Sequence, residues 1–479
     1  MKNKTILEIH NDLINKKYSI ESMVNEFAKK IEYYKFDKKD NVFLYIDLEN
    51  SISKAKELDK NIDKNKDNLL YGICGTLKDN IVVKNQISTG GSKFLENYKS
   101  PFTATVAEEL YNSNSLILAK VNQDEFGFGG TGLYSGFGMI KNPIDESRIV
   151  AGSSSGGAVA VYNGTCSYSI GTDTGDSVRG PANLLGLVGF KPSYGVVSRY
   201  GVMPFASSLD HVGVIANDVS DIAIVMDAIA CKDVNDYSSI ELETKDFFKS
   251  LNLDYKPKLA IIDDSFKYVD ENIKNEYHEF LSKLDSKFNV THINFGDELI
   301  KITPAVYKTI ANTEGISNIA NLVGITFGNH NDINYCDYKD LAIKSRSKYL
   351  GKEIIKRNIV GAYLSSEENF DNVYLKATKI RNIIVNRANE ILSEYDAFII
   401  PGGSNTAAKI EDVLNFQPYL TDAENTLQIA NFGGLPSISI PLSQKNSLPF
   451  GINITGKKFD DVKIVNIAYI LENFIKGLN

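Results

Sequence analysis

The sequence predicts an α/β protein, on three observations. Short apolar runs bounded by glycine recur along the chain, at 115–119, 158–161, 258–262 and 397–401. Helical patterns, such as that over 219–230, lie between them, and strands alternating with helices argue for a sheet with helices packed on it. Hydrophobic residues make up 43% and charged residues 23% of 479 positions, so the chain can bury a large core.

Two amphipathic helices open the chain. The second starts at Ser19, a good N-cap, and places Ile20, Met23, Val24, Phe27, Ala28 and Ile31 on one face. A stretch rich in Lys, Asp and Asn at 54–68 reads as solvated, which makes 1–70 an N-terminal helical part. From 71 to 215 the texture changes, with Gly, Ser and Thr dense among apolar runs. Glycine at that density inside an apolar context signals tight turns near a site. The region 232–390 is more charged and more helical, and reads as a second segment packed on the first. With no Pro/Gly/Ser linker, internal repeat or heptad pattern, 1–479 reads as a single domain.

Charge and composition exclude several classes. There are 52 basic and 60 acidic residues, net −8, a poor balance for gripping a nucleic-acid backbone unaided. Cys74, Cys166, Cys231 and Cys336 form no CxxC pair, and the five histidines show no metal-ligand spacing, so no metal is expected. No 18-residue apolar run and no signal-peptide core appear. The expectation is a cytoplasmic protein with reduced thiols and no membrane contact.

Three short pieces carry candidate chemistry. The first is Gly75-Thr76-Leu77-Lys78-Asp79-Asn80, with a lysine directly after an apolar run. The second is Gly152-Ser153-Ser154-Ser155-Gly156-Gly157, which lacks the Gly-Lys-Ser/Thr of a P-loop. The third is Gly171-Thr172-Asp173-Thr174-Gly175-Asp176-Ser177-Val178-Arg179. Small residues there let several backbone N–H groups point at one spot, as an oxyanion hole needs. A serine nucleophile needs a base, and no histidine lies within 30 residues of Ser177. A lysine serves instead if burial lowers its pKa from ~10.4 towards neutrality. Alone, each piece has an ordinary reading: a strand-end lysine whose head reaches solvent, a helix cap, a tight turn.

Together, in this order and spacing, the three pieces resemble the amidase signature family. Its pattern is Lys-Asp-Asn, then Gly-Gly-Ser-Ser-Gly-Gly, then Gly-(Ser/Thr)-Asp-Thr-Gly-Gly-Ser-(Ile/Val)-Arg. The resemblance implies a central mixed β-sheet covered by helices on both faces. It makes Lys78 the base, Ser154 the bridging serine that follows a cis peptide, and Ser177 the nucleophile. Backbone N–H groups of Thr174, Gly175, Asp176 and Ser177 are the implied oxyanion hole. Further strings, Ala311-Asn312-Thr313-Glu314-Gly315 and Lys356-Arg357 among them, resemble the branch that supplies ammonia inside tRNA-dependent amidotransferases. That branch implies hydrolysis of glutamine within a heterotrimer. A B subunit receives the ammonia and amidates Glu-tRNA(Gln) with ATP and Mg²⁺. A small C subunit clamps the B subunit to this chain, which itself holds no cofactor. Arg357 is the implied partner of the glutamine carboxylate, and Asp422 or Glu424 that of its ammonium. Thr131 and Tyr307 are implied to line the same pocket.

The chain departs from the family pattern at several places. Asp176 replaces a glycine beside the nucleophile, Gly180 stands where Gln or another larger residue is usual, and Ser153 replaces a glycine before the paired serines. Two further readings compete: a stand-alone amidase on another small amide, and a scaffold disabled by Asp176.

Overall fold

The apolar runs read from the sequence become strands of one mixed sheet, with one exception. The computed structural model describes residues 4–330, 332–415 and 426–478. Eleven strands among them join in a single sheet. They are β1 Phe43–Ile46, β2 Cys74–Lys78, β3 Leu116–Val121, β4 Tyr168–Asp173, β5 Val188–Lys191 and β6 His211–Ala216. The rest are β7 Lys258–Ile262, β8 Asn289–Ile293, β9 Ala397–Pro401, β10 Ser437–Lys445 and β11 Leu448–Gly456. Their order in space is β1-β3-β2-β4-β6-β5-β10-β11-β9-β7-β8. β2 runs parallel to β3 and β4, and β7 runs parallel to β8 and β9. The remaining neighbours are antiparallel.

The exception is 158–161, which lies in helix Ser155–Tyr162. Seven of its eight residues, Ser155 to Val161, are buried, so no polar face marks a 3.6-residue period in the sequence.

Helices cover both faces of the sheet, as the resemblance implied. Successive strand residues point to opposite faces. Leu259, Ile261, Ala397 and Ile399 pack into one apolar cluster with helices Val219–Ile229, Glu271–Lys287 and Asp461–Lys476. Ala260, Ile262, Phe398 and Ile400 pack into another with helices Asp297–Asn318 and Leu375–Glu394. At the N-terminus, the Ser19 hydroxyl accepts from the Ser22 N–H at 3.0 Å and caps helix Ile20–Glu32. The six apolar residues read as one face of that helix are all buried. Burying one large aliphatic or aromatic side chain is worth roughly 1.5–3 kcal/mol.

Candidate active site

The parallel neighbours β2 and β4 end side by side, β2 at Lys78 and β4 at Asp173. That juxtaposition brings the first and third sequence pieces together. The second piece enters helix Ser155–Tyr162 beneath them, and the Ser154 N–H donates to the Ser177 carbonyl at 3.1 Å.

Lys78 is 1% exposed. Its Nζ lies within hydrogen-bonding reach of Ser153 Oγ at 2.7 Å, Thr172 Oγ1 at 2.9 Å, Ser154 Oγ at 3.0 Å and the Thr172 carbonyl at 3.3 Å. All four partners are neutral oxygens. Asp79, next in sequence, serves Lys120 instead, at 3.1 Å. Burial therefore dominates and lowers the Lys78 pKa to about 7, against the opposing pull of Asp124, Asp173 and Asp210. The non-proline cis peptide joins Gly152 to Ser153, one residue ahead of the Ser154 position expected from the resemblance. Lys78 thus meets two serine hydroxyls, and Ser154 is the one whose backbone binds Ser177.

The nucleophile candidate Ser177 sits on a loop held by a buried ion pair. Arg179 and Asp173 are both fully buried and meet through Nη2–Oδ1 at 2.9 Å and Nε–Oδ2 at 3.0 Å. Arg179 Nη2 also donates to the Gly175 carbonyl at 2.8 Å and to Asn431 Oδ1 at 2.6 Å. Burial alone pushes the Asp173 carboxyl up, but Arg179, Asn431 and Lys191 hold it well below the usual carboxylate range. Thr174 Oγ1 donates to Asp210 at 2.7 Å and ties down the other end of the loop. Among the described residues, the N–H groups of Thr174, Gly175 and Ser177 and the Ser177 hydroxyl have no hydrogen-bond partner. Unpartnered backbone donors are what an oxyanion hole is built from.

Asp176 does not adopt the left-handed backbone that favours glycine. Its carboxylate lies over Gly180, where a Cβ at position 180 would approach Oδ2 to 3.2 Å. The two departures from the family pattern are thus neighbours in space. Gly175 packs under the Tyr307 ring, and a Cβ there would meet Tyr307 Cζ at 2.8 Å.

The implied pocket residues gather partly. Arg357, on helix Lys352–Leu364, donates through Nε to Glu353 at 2.8 Å and reaches the Gly129 carbonyl at 3.5 Å. Burial pushes the Tyr307 phenol far up, and of the nearby charges Arg357 acts against that and Asp176 with it. Thr131 is buried on the 129–134 strip that Arg357 touches. Asp422 and Glu424 lie outside the described residues.

Sequence reading missed several contributors. Thr172 stands inside the third piece, but its bonds to Lys78 arise only from the pairing of β2 with β4. Asn431 is 258 residues from Asp173, and nothing local signals it. Asp124 accepts four backbone N–H groups, from Gly130, Thr131, Gly132 and Tyr134. An acid followed within ten residues by Gly-Gly-Thr-Gly was the available signal. Among the described residues, no cluster of His, Cys, Asp and Glu is arranged for a metal ion, and no helix is long and apolar enough to cross a membrane.

This site and fold have known counterparts. The Amidase family profile matches residues 22–465, and the chain belongs to that family. Within it, the chain is 37% identical to the A subunit of glutamyl-tRNA(Gln) amidotransferase from Mycoplasma genitalium, over 98% of both chains. It is also 37% identical to the protein of that name from Clostridium botulinum, over 98% of this chain and 97% of the relative. Among solved structures, the A subunit of the Thermotoga maritima glutamyl-tRNA(Gln) amidotransferase shares 34% identity at a TM-score of 0.70, covering 84% and 83% of the two chains. The peptide amidase of Stenotrophomonas maltophilia shares the fold, with a TM-score of 0.82, 22% identity and coverage of 99% and 97%.

Proposed function

We propose that this chain is the amidase subunit of a glutamyl-tRNA(Gln) amidotransferase and hydrolyses glutamine to glutamate and ammonia. The observation that carries the reading is Lys78, buried among neutral oxygens with a pKa of about 7 and within reach of Ser154. A neutral amine accepts a proton at physiological pH. Ser177 Oγ attacks the glutamine side-chain carbonyl carbon. Its proton passes to Ser154 Oγ, whose own proton passes to Lys78 Nζ. The oxyanion meets the N–H groups of Thr174, Gly175 and Ser177, with Asp176 N–H completing the implied set. Collapse breaks the C–N bond, and Lys78 returns the proton through Ser154 to the departing nitrogen, which leaves as ammonia. Water then cleaves the glutamyl ester by the same relay. Arg357, a planar fork suited to a carboxylate, orients the substrate with Tyr307 and Thr131.

In this reading the ammonia reaches a B subunit, which amidates Glu-tRNA(Gln) using ATP and Mg²⁺, while a C subunit clamps the pair. The net charge of −8 suits a chain that leaves the tRNA to its partner. Such a complex works in the cytoplasm. The test is ammonia release from glutamine by the chain alone and assembled with B and C subunits from the same genome. Partner-stimulated release that Ser177→Ala abolishes is the expected result. Hydrolysis of simple amides but not glutamine makes the chain a stand-alone amidase, and a stable complex without hydrolysis makes it a scaffold.

A further inference from the structure

We infer that Glu125 is a positioning residue for the glutamine pocket, tying the start of the Arg357 helix to the catalytic core. Glu125 is 2% exposed, and its carboxylate meets a hydroxyl and a backbone N–H, with no cation beside it among the described residues. Oε1 accepts from the Ser92 hydroxyl at 2.5 Å, and Oε2 accepts from the Gly351 N–H at 2.8 Å. Gly351 is the N-cap of helix Lys352–Leu364, and its φ of −68° is open to any residue. A Cβ there would sit 2.4 Å from Glu125 Oε2, so a side chain at 351 would push that carboxylate off the cap.

A buried carboxylate without a counter-ion is costly, and burial pushes the Glu125 carboxyl up to about 7 against its two hydrogen bonds. What the arrangement secures is the register of a helix that arrives from 226 residues away. Arg357 lies six residues beyond Gly351, roughly 9 Å along a rigid helix, so a shift at the cap moves the guanidinium. The preceding residue works from the opposite wall. Asp124 holds the 130–134 backbone through four N–H bonds, and the adjacent Gly129 carbonyl is what Arg357 Nη2 approaches at 3.5 Å. One dipeptide thus sets both sides of the Arg357 position before substrate arrives.

The inference rests on the reading of Arg357 as the holder of the glutamine carboxylate. The experiment is steady-state glutaminase kinetics of the assembled enzyme with Glu125→Ala, Arg357→Ala and the double variant. Misplacing a binding group by about 1 Å costs up to ~10²-fold, so Glu125→Ala is expected to raise KM for glutamine at least about tenfold with kcat within about threefold. The double variant is expected to be no worse than Arg357→Ala alone. Glu125→Gln, whose amide can accept from Gly351 and donate to Ser92, is expected to return KM to within about threefold of wild type. Gly351→Ala keeps Glu125 but displaces its carboxylate from the cap N–H, and it is expected to raise KM in the same direction even if Glu125→Ala fails to fold. Additive KM effects, or a loss confined to kcat, overturn the positioning role while leaving Arg357 in place. An Arg357→Ala enzyme with unchanged KM overturns the Arg357 reading itself.

Discussion

Lys78 illustrates how much chemistry the surroundings of one side chain carry. Lys78 has a folded pKa of about 7 against 10.5 unfolded, so the folded state binds fewer protons than the unfolded one between those values. This group's contribution to stability therefore rises as pH climbs from 7 to 10.5. Activity follows the same proton: kcat/KM for glutamine is expected to climb through about pH 7 and level off, as a pH–rate profile would read. An inflection near ~10 would mean Lys78 titrates like an exposed lysine. Lys78→Arg, which keeps charge but cannot lose its proton, is expected to lose about 10²–10⁴-fold in kcat. Asp176 was the residue most at odds with the family pattern. Its unstrained backbone and its place over Gly180 predict that Asp176→Asn changes kcat/KM by less than about fivefold, whereas Gly180→Gln, which fills that space, disturbs it more. The identity of Asp176 was legible in the sequence, but its direction depended on a residue one turn away.

At the scale of elements, the loop between β4 and helix Arg179–Leu184 is built around one buried ion pair. Arg179→Met leaves Asp173 charged and unpaired in the interior. Removing one partner of such a pair costs about 3–5 kcal/mol, to be read from denaturant unfolding, and ammonia release is expected to fall with it. Stability unchanged by this variant would mean that Asp173 protonates or finds water. Gly175→Ala is a milder probe, since a Cβ 2.8 Å from the Tyr307 ring must displace either the ring or the 174–178 loop. It is expected to lower kcat about 10–10²-fold with little change in unfolding. The spacing Asp173-x₅-Arg179 stood in the sequence, but its third partner, Asn431, did not. Helix Ser155–Tyr162 was legible only as an apolar run, because burial on all sides erases periodicity.

For the whole molecule, the proposed pocket draws on distant stretches. In the proposed pocket, Ser177 follows β4, Tyr307 rides on helix Asp297–Asn318, and Arg357 rides on helix Lys352–Leu364. Binding that bridges such parts stabilises the fold by mass action. In a Ser177→Ala background, glutamine at about 100 times its Kd contributes about 2.7 kcal/mol, a rise of roughly 2–3 °C in Tm. Arg357→Ala is expected to remove that shift, and a shift that survives would place the substrate elsewhere.

The sequence by itself determined the α/β class, the N-terminal capped helix and the three pieces that carry Lys78, Ser154 and Ser177, because each is encoded within a short local stretch. Only the tertiary structure decided that β10 and β11 enter between β5 and β9, that Lys78 faces neutral oxygens while Asp79 turns to Lys120, and that Glu125 meets Gly351. Those outcomes depend on which strand lies beside which and on the space left between packed helices. No local propensity carries that information, since it is settled by burying apolar faces across separations of hundreds of residues.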